Sequence, residues 1–225
     1  MKFAGRMVQS FAMVTLMVGK CSGLHMRRTM SMTSWFRTKP VAAVSPSLQG
    51  MFDSLASIPN VQESTKDPWS CDHIAKCVEH MAKVDLSDLS LVGYPIKTTA
   101  CMHISDTTNF QIAAFTLPKG RTLPVHDHPG MTVISKVLTG ELSVTSFSAD
   151  DQSTLTTNCN SMTTPIKVNL QEHSLKRPTD QPWLISPRVG NFHEFTARSD
   201  CIILDVLLPP YAYPERPCNY YSARP

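Results

Sequence analysis

From about Tyr94 onward, the apolar residues of this 225-residue chain recur at every second position in short runs. That period constrains the fold more than any other feature. The runs Phe110–Leu117, Met131–Leu138, Glu141–Phe147, Trp183–Ser186, Phe192–Ala197 and Cys201–Leu208 are separated by clusters of Pro, Gly, Asn, Asp and Ser. Successive side chains of a strand point to opposite faces, so each run has one face to bury. Several short strands with turn signals at close intervals predict an all-β sandwich or barrel. The stretch Ser148–Pro182 is polar and rich in Ser, Thr and Asn, and reads in part as a long loop joining two halves.

Before Tyr94 the period is helical. Leu48, Met51, Phe52 and Leu55 recur at helical spacing behind a Ser45-Pro46 start signal. A second helix is expected over Cys71–Lys83, with Ile74, Val78, Met81 and Ala82 as its apolar stripe. His73, Cys77 and His80 could share one face of it, but their spacing fits no common zinc module and no fourth ligand is nearby. They read as ordinary helix residues. The chain thus divides into residues 1–40, a targeting or disordered segment; 41–93, a helical extension; and 94–225, the β domain.

Charge distribution supports that division. No acidic residue precedes Asp53, whereas seven basic ones do, and from Asp53 onward 18 acidic and 14 basic residues leave a net charge of −4. The first forty residues, rich in Met, Ser, Thr and Arg, read as a mitochondrial transit peptide, with a cytoplasmic protein carrying an unaddressed extension as the alternative. Phe11–Gly19 resembles the apolar stretch of a secretory signal but is too short to span a bilayer. Seven scattered cysteines without a CxxC read as free thiols in a reducing compartment, which weighs against secretion. The mildly acidic folded part has no nucleic-acid footprint and no membrane-binding pattern, and is expected to be a monomer.

The chemistry concentrates in Gly120–Gly140, which contains His126-Asp127-His128 just ahead of an apolar alternating run. Histidines at i and i+2 would share one face of a strand and offer two imidazoles to a transition metal. Asp127 between them should then face outward and bond a loop backbone, without a catalytic role. Among the eight histidines, His193 in Asn191-Phe-His-Glu-Phe is the strongest candidate for a third ligand, because a Gly turn leads it into a strand. His103 and His173 lie outside these segments and read as surface or structural residues.

The two segments resemble the paired motifs of the cupin superfamily. Gly120, His126, His128 and Gly140 fall in register with its first motif, whose glutamate position here is Val133. The position of the second motif's asparagine is Ala197. The implied fold is a mainly β cupin, a double-stranded β-helix (jelly-roll) barrel, with an N-terminal helical extension. A shell of three neutral imidazoles leaves a divalent ion its full charge and open positions, which favours an anionic ligand such as a thiolate. With Fe(II) the remaining position suits O2, and with Zn(II) the same shell activates water. The ligands alone leave both open.

Four strings narrow the resemblance: Leu123–Val133, Asn191–Ala197, Leu204–Tyr211 and Cys218–Tyr221. In order and spacing they are similar to the cysteamine (2-aminoethanethiol) dioxygenase and plant cysteine oxidase family, over roughly Leu86–Tyr221. This resemblance implies that His126, His128 and His193 bind Fe(II), and that Asp205 orients a ligating histidine. It places Tyr211 near the mouth of the site, and matches Cys218 and Tyr220 to a pair that forms a thioether in some members. It implies a thiol dioxygenase that adds both atoms of O2 to a small aminothiol, or to a peptide beginning with cysteine. A zinc or manganese cupin isomerase or hydrolase, and a non-enzymatic cupin binding protein, are the alternatives.

Overall fold

The computed structural model describes the backbone of Met13–Val18 and residues 44–58, 72–150 and 165–224. Its elements are β1 (Met13–Val18), α1 (Pro46–Ala56), α2 (Asp72–Lys83), β2 (Ala100–Asp106), β3 (Gln111–Leu117) and β4 (Thr122–His126). They continue with β5 (Thr132–Thr139), β6 (Leu142–Ala149), β7 (Pro165–Lys176), β8 (Trp183–Ile185), β9 (Phe192–Ala197), β10 (Cys201–Leu208) and β11 (Tyr221–Arg224). The strands form two antiparallel sheets, ordered β11-β1-β7-β6-β9-β4 and β2-β3-β10-β5-β8. An isolated antiparallel bridge between His126 and Tyr220 links the end of β4 to the residue before β11, so the chain's tail returns to the far edge of the first sheet.

Strand β10 shows how the layers are assembled. Every residue of Cys201–Leu208 is buried, because the strand is covered on both faces. Ile202, Leu204, Val206 and Leu208 pack with Met51, Leu55, Ile74, Cys77 and Met81, so α1 and α2 lie on the outer face of this sheet. Cys201 and Ile203 instead join Leu123, Val144 and Phe195 of the opposite sheet, in the barrel interior. Alternation places Asp205 on that interior face, between Ile203 and Leu207. The helical segment therefore shares one apolar core with the barrel, and each fully buried Leu or Met in it contributes about 1.5–3 kcal/mol.

Local chemistry sets the helix ends. The Ser45 hydroxyl accepts from the Leu48 amide at 3.1 Å, capping α1 where Pro46 begins it. Past the end of α2, Lys136 reaches over from β5 and donates to the Ala82 and Val84 carbonyls, both at 2.7 Å. That bond pair explains a lysine only 7% exposed in the middle of a strand. Among the described cysteines, Cys77, Cys101, Cys201 and Cys218 are free. Burial pushes the thiols of Cys77 and Cys101 up to about 12.

Three features differ from the sequence reading. The polar stretch read as a loop contains β7, whose Ile166 and Val168 are buried, while most residues beyond them are exposed or half-exposed. Its polarity reflects a face turned to water, not irregular backbone. β2 and β11 were not anticipated, and β4 was anticipated only at its end, as the strand expected to carry His126 and His128. β1 falls within the segment read as targeting or disordered, and pairs with both β7 and β11. The other residues of 1–40, and hence most of that expectation, lie outside the described residues.

Two of the motif glycines work differently. Gly120 (φ +77°) needs the left-handed region but has open space around it, whereas Gly140 (φ +86°) also lies against the Asp200 carbonyl and the Cys201 sulfur. Gly140→Ala is therefore expected to cost more than about 1 kcal/mol, through strain and collision together. Gly120→Ala should cost less. Paired denaturant titrations would check the order.

Candidate metal centre

His126 ends β4, and His128 lies in the loop that follows, so the two do not share a strand face as alternation predicted. His193 is on β9, directly paired with His126. All three are buried, and they offer ligand atoms within 4.8 Å of one another. Ring centroids are 5.0 Å apart for His126 and His128, 4.4 Å for His126 and His193, and 4.9 Å for His128 and His193. No other such cluster occurs among the described residues; His73 instead bonds Ser57, and Cys77 is core. His103 and His173 are exposed and bonded to Asp106 and Thr145.

The surroundings hold these rings neutral. Burial pushes the His126 imidazole down to about 4. His128 and His193 fall well below the ordinary range, through burial first and then repulsion from neighbouring imidazoles. Neutral imidazole is the form that binds a metal. His126 Nδ1 is 2.9 Å from the Pro124 carbonyl, so it carries the proton and leaves Nε2 as the free lone pair. His193 makes no well-formed hydrogen bond at Nδ1, its interaction with the Gly190 backbone being too poor in geometry to satisfy that buried atom, and coordination or a better-placed partner would do so. A late first-row divalent ion fits this donor set.

The loop carrying His128 is fixed by Asn191, which sequence reading missed. Its Oδ1 accepts from the His128 amide at 2.9 Å, and its Nδ2 donates to the His128 carbonyl at 2.8 Å. One carboxamide thus imitates a strand partner and ties together the loops preceding β5 and β9. No periodicity signals such a contact; the only cue is Asn next to Gly190, a glycine of positive φ. Asn191→Ala strands the buried His128 amide, whereas the His128 carbonyl keeps its bond from the Met131 amide, and is expected to cost about 1–3 kcal/mol. Loosening the loop that carries His128 is also expected to weaken metal binding, by up to about 10-fold. Thermal unfolding and competitive metal titration would measure both.

Asp127 corrects another expectation. It is 5% exposed rather than outward-facing, because the strand has ended at His126 and alternation no longer applies. Burial raises its pKa, against hydrogen bonds from Tyr221 and Asn219 that lower it.

The remaining predicted residues divide into an interior and a rim. The interior carboxyl of Asp205 is pushed up to about 7 by burial, opposed by a hydrogen bond from Ser135 on the paired strand. It does not bond a histidine as the resemblance implied; Oδ1 has no partner. Tyr211 is tied to a histidine instead: its hydroxyl donates to the Asp127 carbonyl at 2.8 Å and stands 2.7 Å from His128 Nδ1. With its proton on the carbonyl, Tyr211 accepts from His128 Nδ1–H and leaves Nε2 free. Burial pushes the Cys218 thiol up to about 11, with the Tyr211 and Tyr220 hydroxyls interacting with its sulfur. At the position of the usual cupin glutamate, Val133 is packed among Met131, Ile185 and Leu207.

A two-sheet antiparallel barrel with three buried histidines converging in its interior defines a cupin-type metal site. The PCO_ADO family model matches residues 75–225, and the chain belongs to that family. Plant cysteine oxidase 1 of Arabidopsis thaliana is 35% identical over 125 residues, covering 55% of this chain and 41% of that protein. The 2-aminoethanethiol dioxygenase of Mus musculus is 30% identical over 140 residues, covering 53% and 52%. The chain spans about half the length of these curated relatives. Among solved structures, a cupin superfamily protein of Desulfitobacterium hafniense is 16% identical, covering 54% of this chain and 86% of that one, with a TM-score of 0.37.

Proposed function

We propose that the protein is an Fe(II)-dependent thiol dioxygenase acting on a 2-aminothiol, either cysteamine or the N-terminal cysteine of a peptide or protein. The observation that carries this reading is the donor set: three buried neutral imidazoles, with no carboxylate among the clustered ligands, in a chain of the PCO_ADO family. The relatives are named cysteine oxidase and 2-aminoethanethiol dioxygenase, which supports the substrate class. When bound, ferrous iron would supply the redox chemistry by which O2 oxidises sulfur. Thiol plus O2 gives the sulfinic acid with every atom accounted for: sulfur loses four electrons, O2 gains them, and no other reductant is required.

The chain's own residues do the rest. His126, His128 and His193 would hold the ion, and the Pro124 carbonyl and Tyr211 fix the tautomers of the first two. Asp205 makes no bond to a ligating imidazole here, and its buried Oδ1 is open to accept one when the ion is held. Phe195, stacked on His193 at 4.7 Å, and the Met131–Val133–Leu207 cluster exclude water. The test is to load the protein anaerobically with Fe(II), Zn(II) or Mn(II) and follow O2 uptake with cysteamine and with a Cys-initiated peptide. Uptake of one O2 per thiol with iron alone is expected. No uptake with iron, or equal turnover with zinc, would refute the proposal.

A further inference from the structure

The Asp127 carboxylate lies between two candidate ligands in the chain, yet its hydrogen bonds go to the C-terminal segment. Oδ1 accepts from the Asn219 amide at 3.0 Å and from Asn219 Nδ2 at 3.2 Å. Oδ2 accepts from Asn219 Nδ2 at 3.1 Å and from the Tyr221 hydroxyl at 2.6 Å. The backbone adds to this, since the Asp127 amide donates to the Asn219 carbonyl at 3.2 Å. A buried carboxylate is costly without such donors, and with them it makes a stronger anchor than a neutral side chain would.

The anchored segment carries two of the residues that flank the site. Cys218 and Tyr220 stand on either side of Asn219. Tyr220 forms the bridge to His126, with their rings 5.9 Å apart. The Cys218 sulfur interacts with Tyr220 and with Tyr211, whose ring stacks on His128 at 5.2 Å. Tyr211, Cys218, Asn219 and Tyr220 are half-buried, whereas the three histidines are buried. These side chains therefore form the layer between the imidazoles and solvent, and Asp127 is the group that fastens it.

We infer that Asp127 is a positioning residue that straps Cys218–Tyr221 across the three-histidine site and thereby sets the wall against which a substrate thiol lies. The substrate part of this inference rests on the proposed thiol chemistry; the strap itself does not. A strap that is released part of the time lowers the fraction of molecules competent to bind substrate, and the apparent dissociation constant rises as that fraction falls. Molecules with the strap engaged react as before. The signature of losing Asp127 is thus a raised KM with kcat nearly unchanged.

The test compares wild type with Asp127→Asn and Tyr221→Phe, the second variant leaving the histidine loop itself unaltered. Hydrogen exchange on the metal-free proteins reads the strap. Exchange at residues 219–223 is expected to lose nearly all its protection in Asp127→Asn, because a tenfold rise in KM needs the strap released about nine-tenths of the time, and to lose less in Tyr221→Phe, while β5 and β10 stay protected. In the iron-loaded proteins, KM for cysteamine or a Cys-initiated peptide should rise about tenfold, with kcat held within about twofold. Unchanged exchange in both variants would overturn the strap, and should Asp127→Asn fail to fold, Tyr221→Phe decides. Faster exchange with unchanged KM would overturn the positioning role. A wild-type protein that oxidises neither thiol would refute the functional reading, and with it the substrate wall, while exchange would still decide the strap.

Discussion

Replacing His193 by alanine is expected to abolish thiol oxidation while leaving the metal-free fold largely intact. Loss of one of three ligands removes a contribution of several kcal/mol to the reaction, about a thousandfold or more in rate. The stability effect is small because two terms oppose one another. Truncation leaves a cavity, which costs up to a few kcal/mol. It also removes a buried Nδ1 that lacks a well-formed hydrogen bond, which returns up to about 1–3 kcal/mol. The decisive readout is metal-induced stabilisation. Wild type should gain about 2.7 kcal/mol at a hundredfold excess of metal over its dissociation constant, and His193→Ala should gain almost nothing. A variant that kept both oxidation and metal stabilisation would remove His193 from the site.

The second large effect is on the pH dependence of the metal-free protein. Asp205 ionises near 7 in the folded state against 3.8 ordinarily. Between those values the folded state holds a proton that the unfolded state has released, so this group lowers stability as pH rises, by up to about 4 kcal/mol. The histidines act in the opposite direction. His126 stays neutral down to about 4, and the other two titrate well below 6.5. Below pH 6.5 the unfolded chain takes up protons that the folded chain refuses, so stability falls as pH falls. For His126 alone the loss by pH 4 is about 3 kcal/mol. Asp205→Asn should therefore steepen the rise of stability between pH 4.5 and 6 by about one proton's worth, and abolish any decline between 6.5 and 7. Urea titrations across that range would show it; a slope unchanged by the substitution would mean that Asp205 is ionised throughout.

Periodicity revealed the barrel, α1, α2 and the strands β3, β5, β6, β8, β9 and β10, because each buries at least one apolar face, and β10 both. It failed where burial and pairing are decoupled, as in β7, whose outer half is solvated. The three histidines were legible because the spacing of His126 and His128, followed by a turn-flanked His193, is a pattern of residue types. What holds them was not. Asn191 and Asp127 act on backbone groups 63 and 92 positions away, through contacts that only the folded chain brings together. Asp127 was misplaced for a specific reason: alternation was carried one residue past the end of β4.

On the proposed function, this barrel joins both atoms of O2 to a thiol at an iron ion that His126, His128 and His193 would hold. The direct measurement is mass spectrometry of cysteamine and of a Cys-initiated peptide after incubation with the iron-loaded protein under isotopically labelled O2. The expected product is a sulfinic acid carrying two labelled oxygen atoms on sulfur, formed by wild type and not by His193→Ala. Disulfide alone, a single labelled oxygen, or oxygen drawn from water would contradict it.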